Sequence, residues 1–184
     1  PSVSINYNQG KVNAYGRAWV GTNGQNYITT EHTKYSNKTF IDAESELRNK
    51  AFWGGANLGV VYDINAKHSV GGELQFNHYG GNGSTDTWTE RTNLGTTLRS
   101  EGVYKNDFYS NMLTATLNYI YKLDNMGSTL KFIGDYTNSR MPRQHNYFDT
   151  EYMFHAPDIL RDSTYRYASD SRYQLATATV ALEQ

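Results

Sequence analysis

The sequence predicts an all-β chain, an antiparallel up-and-down meander of about seven long strands. Three observations carry that expectation. Apolar and polar residues alternate with a period of two over most of the chain, as a strand with one dry and one wet face requires. Short polar turn segments near Gly10, Lys67 and Gly127 are separated by almost equal intervals. The composition, 38% apolar with 16 Tyr and 16 Gly and a mean hydropathy of -0.73, is too polar for a bundle of membrane helices.

The clearest unit is Ser110 to Asn138. Leu113, Ala115, Leu117, Tyr119, Tyr121 and Leu123 alternate with Thr114, Thr116, Asn118, Ile120, Lys122 and Asp124, Ile120 being the exception. After Asn125-Met126-Gly127 the chain resumes with Leu130, Phe132, Gly134 and Tyr136 opposite Lys131, Ile133, Asp135 and Thr137, which completes a hairpin. The strands implied along the whole chain run over about 2–8, 12–35, 39–64, 69–80, 103–124, 128–140 and 163–182, forming one domain over 1–184.

In order, Val3, Ile5 and Tyr7 alternate with Asn and Ser, and Gln9-Gly10-Lys11 turns into Val12 to Val20. That second strand extends through the Thr- and Tyr-rich Tyr27 to Tyr35. Ile41 to Phe52 fits two patterns. Asp42 is a candidate N-cap with Glu44 and Arg48, and Glu46 and Lys50, at helical spacing. Alternation of Ile41, Ala43, Leu47, Ala51 and Trp53 supports a strand instead, and the neighbouring strands favour it. Leu58 to Ile64 and Val70 to Phe76 flank Asn65-Ala66-Lys67-His68. Gly80 to Arg99 reads as a long Gly-, Asn- and Thr-rich loop, and Arg140 to Asp162 as a second long excursion. Tyr173 to Leu182 is the last strand.

Short turns on one edge and long loops on the other, with apolar alternation confined to the strand ends beside the short turns, match the organisation of a transmembrane β-barrel. A spanning strand needs about 9 to 11 residues. Arms of roughly 25 residues, about 80 Å long at 3.3 Å per residue, therefore rise well beyond a bilayer. Seven strands are too few and odd in number for a complete bacterial barrel, which points to a segment of a larger one. The opening Pro1 likewise points to a mature, processed or excised chain. Exposed edges invite self-association of such a segment.

The Lys11 to Gly16 strand after a Gly turn resembles a known group. So do Asn57-Leu58-Gly59-Val60-Val61-Tyr62-Asp63 leading through Asn65-Ala66-Lys67-His68-Ser69-Val70-Gly71, and Asn118-Tyr119-Ile120-Tyr121-Lys122-Leu123. Together they resemble the outer-membrane β-barrels of Bacteroidetes related to TonB-dependent receptors. The resemblance implies a bacterial outer-membrane location and a role in ligand binding or nutrient uptake at the cell surface. It also implies lipid against the apolar faces, the remainder of the barrel and a plug domain as partners, and an energy-coupling protein. The alternative is a soluble all-β binding module, a sandwich or small barrel, that recognises a carbohydrate or protein and uses the apolar face as its core.

Residues with chemistry sort as follows. Tyr7, Tyr62, Tyr119, Tyr121 and Tyr136 stand where an interfacial girdle sits, or serve ordinary strand packing. Trp53, Trp88, Tyr104, Tyr147, Phe148 and Tyr152, with Tyr109, are distal loop aromatics that can stack on a small ligand such as a sugar or peptide, or simply decorate loops. His145, Asp149, Glu151 and His155 could ligate a metal if one loop gathers them, but their spacing is not diagnostic and a solvated loop is the plainer expectation. Gly80-Gly81-Asn82-Gly83-Ser84 lacks the Lys and helix of a phosphate loop and reads as a flexible tip. Asn37-Lys38-Thr39 and Asn82-Gly83-Ser84 are chance glycosylation matches in a bacterial protein. No nucleophile-base or paired-carboxylate spacing is present, so no enzyme, metal or cofactor is expected. With 17 basic and 18 acidic residues the chain offers no general attraction for nucleic acid, and without Cys it has no disulfide or thiolate chemistry.

Overall fold

A computed structural model of the chain describes residues 1–124, 126–153 and 156–183. Seven strands form one antiparallel sheet in sequence order: β1 (Ser2–Gln9), β2 (Val12–Lys34), β3 (Phe40–Asp63), β4 (His68–Asn93), β5 (Thr96–Lys122), β6 (Thr129–Met153) and β7 (Ala156–Glu183). No helix occurs among the described residues. β1 pairs with β2 and β7 with β6, and the sheet does not close on itself.

Two expectations are corrected. Gly80 to Arg99 is no loop, because β4 continues to Asn93 and β5 starts at Thr96, joined through Leu94-Gly95. Arg140 to Asp162 is no excursion, because β6 runs to Met153 and β7 begins at Ala156. The strands written as 69–80, 103–124, 128–140 and 163–182 therefore become His68–Asn93, Thr96–Lys122, Thr129–Met153 and Ala156–Glu183. The ladder is a backbone structure and tolerates side chains that are polar on both faces, whereas alternation is legible only where the faces differ. Ile41 to Phe52 lies within β3, so the alternating pattern prevails over the helical charge spacing.

Turns are short at both ends. At the proximal end Gly10 takes φ 59, and Asn65 Oδ1 accepts from the Lys67 and His68 amides at 2.9 and 3.1 Å. Asp124 Oδ1 likewise accepts from the Met126, Gly127 and Ser128 amides at 2.8, 3.0 and 3.1 Å, while Asn125 itself lies outside the described residues. At the distal end Asn37 Oδ1 accepts from Thr39 N at 3.1 Å. Asx side chains thus bond their own backbone two or more residues on, which pre-forms the turns. Leu94 and Gly95, at φ 48 and 85, form the two-residue hairpin turn that needs left-handed residues at both positions.

Register defines two faces. The front face carries the even-numbered residues of β2, β3 and β4, the odd-numbered residues of β5 and the even-numbered residues of β6. One proximal row reads Val12, Tyr62, Val70, Tyr119, Phe132, Val180, and a second reads Ile5, Gly16, Leu58, Leu74, Ala115, Tyr136, Ala176. Among the described residues no hydrophobic side chain is buried, since this single layer has no second layer against it.

Candidate functional site

Three surfaces of the sheet have distinct chemistry, and strand parity assigns each side chain to one of them. The proximal front face is apolar without interruption. It is exposed in the middle of the sheet as well as at its edge: Leu58 at 64% and Leu117 at 69%, against 72% for Ile5 on β1. A sheet with one hydrophobic face must bury that face against something. The band spans about nine residues per strand, from Val12 to Val20 on β2 and from Leu113 to Tyr121 on β5. That is about 30 Å along a strand and about 23 Å in projection at a 40° tilt, close to the apolar height of a barrel wall. Its distal edge falls at Val20 on β2 but at Tyr136 and Ala176 on β6 and β7, in the hydrogen-bonded row of Gly16. This drift, about 13 Å over about 24 Å of sheet, slopes the band by about 30° to the rows.

Aromatics mark both edges of the band. Tyr62, Tyr119 and Tyr121 lie at the proximal edge, where His68 Nδ1 is 2.6 Å from Tyr119 Oη and the His68 ring stacks on Tyr121 at 4.7 Å and 3°. Tyr7 stands one row inward and Tyr136 two rows from Tyr119, both on the front face. Phe52 and Tyr109, exposed on the front face at the distal edge, form the opposite border. Each lies about ten residues from its proximal counterpart, Tyr62 or Tyr119, which is about 25 Å along the normal of a tilted strand.

Behind the band the back face is mainly polar, with Trp19, Val61, Ile120, Ile133 and Leu175 set among Asn, Thr, Glu and Asp residues. Tyr15 reaches across Gly59 on β3, and its hydroxyl donates to Glu73 on β4. A Cβ at Gly59 would collide with the Tyr15 ring, so this contact across three strands requires glycine. Asp135 accepts from Thr116 Oγ1 at 2.7 Å and from Thr177 Oγ1 at 3.3 Å, and Lys131 Nζ donates to Glu183 at 2.6 Å.

The third surface, the distal back face, is the candidate ligand site. Tyr104, Tyr147 and Tyr165 form one cross-strand row and Asn106, His145 and Tyr167 the next. Tyr104 Oη lies 2.5 Å from His145 Nδ1, and the His145 ring stacks on Tyr104 at 5.7 Å and on Tyr167 at 5.9 Å. Tyr147 and Tyr165 are tilted at 6.2 Å, and Tyr79 and Phe108 meet at 5.4 Å. Gly83 leaves room on this face for the Asn49 and Asn106 amides, whose oxygens occupy the space of a Cβ. Aromatic faces beside amides and hydroxyls suit a polar ligand with an apolar flank.

Of the distal aromatics named from sequence, none sits in a loop. Trp53, Tyr104 and Tyr147 are on the back face, whereas Trp88, Phe148 and Tyr152, with Tyr109, are on the front. The structure therefore divides the set. The front group is ionic: Arg99 lies over Trp88 at 5.4 Å, and Tyr152 donates to Glu101 at 2.6 Å, a bond that raises the Tyr152 pKa. The sequence reading missed Tyr79, Phe108, Tyr165 and Tyr167. Parity carried through the supposed loops would have found them, since Tyr104 and Phe108 share one parity on β5.

His145, Asp149 and Glu151 sit on β6, and no group of three metal-ligating side chains gathers among the described residues. His155 lies outside those residues. Asp149, 8% exposed, instead accepts from Ser100 Oγ at 3.1 Å and from Arg161 Nη2 at 2.9 Å, and the latter contact raises the Arg161 pKa. Gly80 to Ser84 is strand, not a tip, with Gly81 and Gly83 on the back face.

No family model matches the chain, and no curated protein sequence does. Nothing thus ties it to the Bacteroidetes barrels that its turns resemble. Weak structural likenesses include outer-membrane barrels. A ferric enterobactin receptor mutant of Pseudomonas aeruginosa in complex with enterobactin is 8% identical, with 98% of this chain and 41% of that chain covered, at a TM-score of 0.17. Pseudomonas aeruginosa OpdQ is 6% identical, over 97% and 89%, at 0.11. Clostridium perfringens delta-toxin is 6% identical, over 98% and 100%, at 0.17. At these scores none carries an argument about fold or function.

Proposed function

We propose that the chain is part of the wall of an outer-membrane β-barrel of the TonB-dependent receptor kind. In this reading the proximal front band faces lipid and the proximal back face lines the lumen. The distal back surface around Tyr104, His145 and Tyr167 contributes to binding a ligand for uptake at the cell surface. The remaining wall, a plug domain and an energy-coupling protein are the partners this role requires, and the role is one of binding and passage without catalysis. A single observation carries the reading. One face of one sheet is apolar for the height of a bilayer core and mainly polar directly behind it, and among the described residues nothing covers the apolar side. A sandwich core would need a second sheet about 10 Å away.

Fractionation of cells that express the full-length protein tests the reading. The protein is expected in the outer-membrane pellet and resistant to alkaline carbonate extraction. Recovery as a monodisperse soluble protein without detergent would replace this reading with a soluble all-β binding module.

A further inference from the structure

We propose that Arg17, Trp19 and Trp53 form a second binding site on the back face, for a small ligand that carries both a flat ring and a carboxylate. The site goes beyond the membrane-spanning reading, because the back face of this single sheet is open whichever medium meets the front.

Glycine makes the platform. Trp19 is paired with Gly55 and Trp53 with Gly21, so the two indoles stand on adjacent strands and adjacent rows of one face. A Cβ at Gly55 would fall among the Trp19 ring atoms, and a Cβ at Gly21 among those of Trp53. Each ring therefore lies over the bare backbone of the neighbouring strand, with one side against the sheet and the other free. Trp53 is 41% exposed and Trp19 half-buried. Beside them a cavity of about 420 Å³ is lined by both indoles, Arg17, Pro1 and Ser2, a volume within the range of small-molecule sites.

Charge selects the occupant. Arg17 stands two residues before Trp19 on the same face, its guanidinium carbon 5.9 Å from the indole centroid. It has no ion-pair partner among the described residues. Nor does it donate to its cross-strand neighbour Asn57, whose Oδ1 is buried without a hydrogen bond. From the row of Tyr27 down to the row of Arg17 the described back face holds no carboxylate, and Glu73, one row further on, accepts from Tyr15. The fork of N–H donors is thus open, and a carboxylate meets such a fork with two parallel hydrogen bonds. Indole faces take a flat ring. A plain anion leaves the indoles unused and a neutral ring leaves the arginine unpaired, so the occupant carries both groups.

The test follows the fluorine signals of 4-fluorobenzoate, 4-fluorobenzyl alcohol and fluoroacetate by NMR as each is titrated with full-length protein in vesicles, with empty vesicles as the blank. Saturable binding of 4-fluorobenzoate is expected, about tenfold tighter than that of the alcohol or of fluoroacetate. Arg17→Gln, an exposed change, is expected to bring 4-fluorobenzoate down to the affinity of the alcohol, while Arg143→Gln, the other arginine in those back-face rows, leaves it unchanged. Equal binding of the benzoate and the alcohol overturns the proposal, as do equal losses in the two arginine variants, which would mean diffuse attraction, and the absence of saturable binding by the native chain. Flotation of the same vesicles reads insertion separately, so failure of this site and failure of the membrane-spanning reading are told apart.

Discussion

Val12 to Val20 and Thr22 to Lys34 are the two halves of one strand, and their even-numbered residues share one face. In the first half that face is Val12, Ala14, Gly16, Ala18 and Val20; in the second it includes Asn26, Thr30, His32 and Lys34. The backbone is the same and the partner strand β3 is the same, so neither pairing nor propensity separates the halves. On the membrane-spanning reading, what differs is the medium each half meets. Parity says which face a residue occupies, and the composition along that face says what lies against it.

Charge placed on the two halves should separate them most. Leu58→Arg, in the middle of the apolar band, is expected to cost about 2–4 kcal/mol of folding stability in lipid, against about zero for Ile28→Arg on the distal front face. Denaturant unfolding of the full-length protein in vesicles measures both, and equal losses would break the distinction.

Glycine requirements give the next contrast. Gly59→Ala drives a methyl into the Tyr15 ring and displaces its contact with Glu73, with an expected loss of about 1–3 kcal/mol. At Gly134 nothing stands within 4 Å of an added Cβ, so Gly134→Ala should be neutral or slightly stabilising. Loss of comparable size at both sites would mean that the three-strand contact contributes little.

A smaller effect is expected at the distal turn. Leu94 holds a left-handed φ of 48 while 87% exposed, so Leu94→Asn should relieve strain and stabilise by about 1 kcal/mol, with no change at the proximal end. Thermal unfolding reports it.

The smallest effect concerns acid. The Arg140 and Arg172 guanidiniums hold the Asp170 carboxyl down at about 2, from an ordinary 3.8. Because the folded value is the lower one, this stabilisation is complete above the ordinary value and is lost as pH falls through about 2. Asp170→Asn should flatten the pH profile of stability between those values, and it leaves two arginines directly opposed, which is unfavourable. An unaltered acid profile in the variant would show that the pair adds nothing measurable at this exposed position.

How much of this was legible follows the same division. Leu113 to Tyr121 could be assigned a face from sequence because every neighbour on the opposite face is polar or is the single exception Ile120. Gly80 to Arg99 could not, because Thr85, Thr87 and Thr89 on one face alternate with Ser84, Asp86 and Trp88 on the other, and no apolar period survives. The candidate ligand surface suffered most from this. Tyr147 and Phe148 are adjacent on β6 and point to opposite sides, which no apolar period around them reveals. Tyr165 and Tyr167 meet Tyr147 and His145 through the β6–β7 register, a long-range pairing that local sequence does not encode.

On the proposed reading the even-numbered half-strand from Val12 to Val20 faces lipid while its continuation faces water. Nitroxide labels placed singly at Ala14, Ala18, Asn26 and Thr30, and at Asn13 and Arg17 on the back face, test it in full-length protein reconstituted into vesicles. Relaxation by oxygen should exceed relaxation by a water-soluble nickel complex at Ala14 and Ala18, with the reverse at Asn26, Thr30, Asn13 and Arg17. Labels at Ala14 and Ala18 shielded from both reagents, as in a protein core, or open to the nickel complex, as on a wetted surface, would contradict the account.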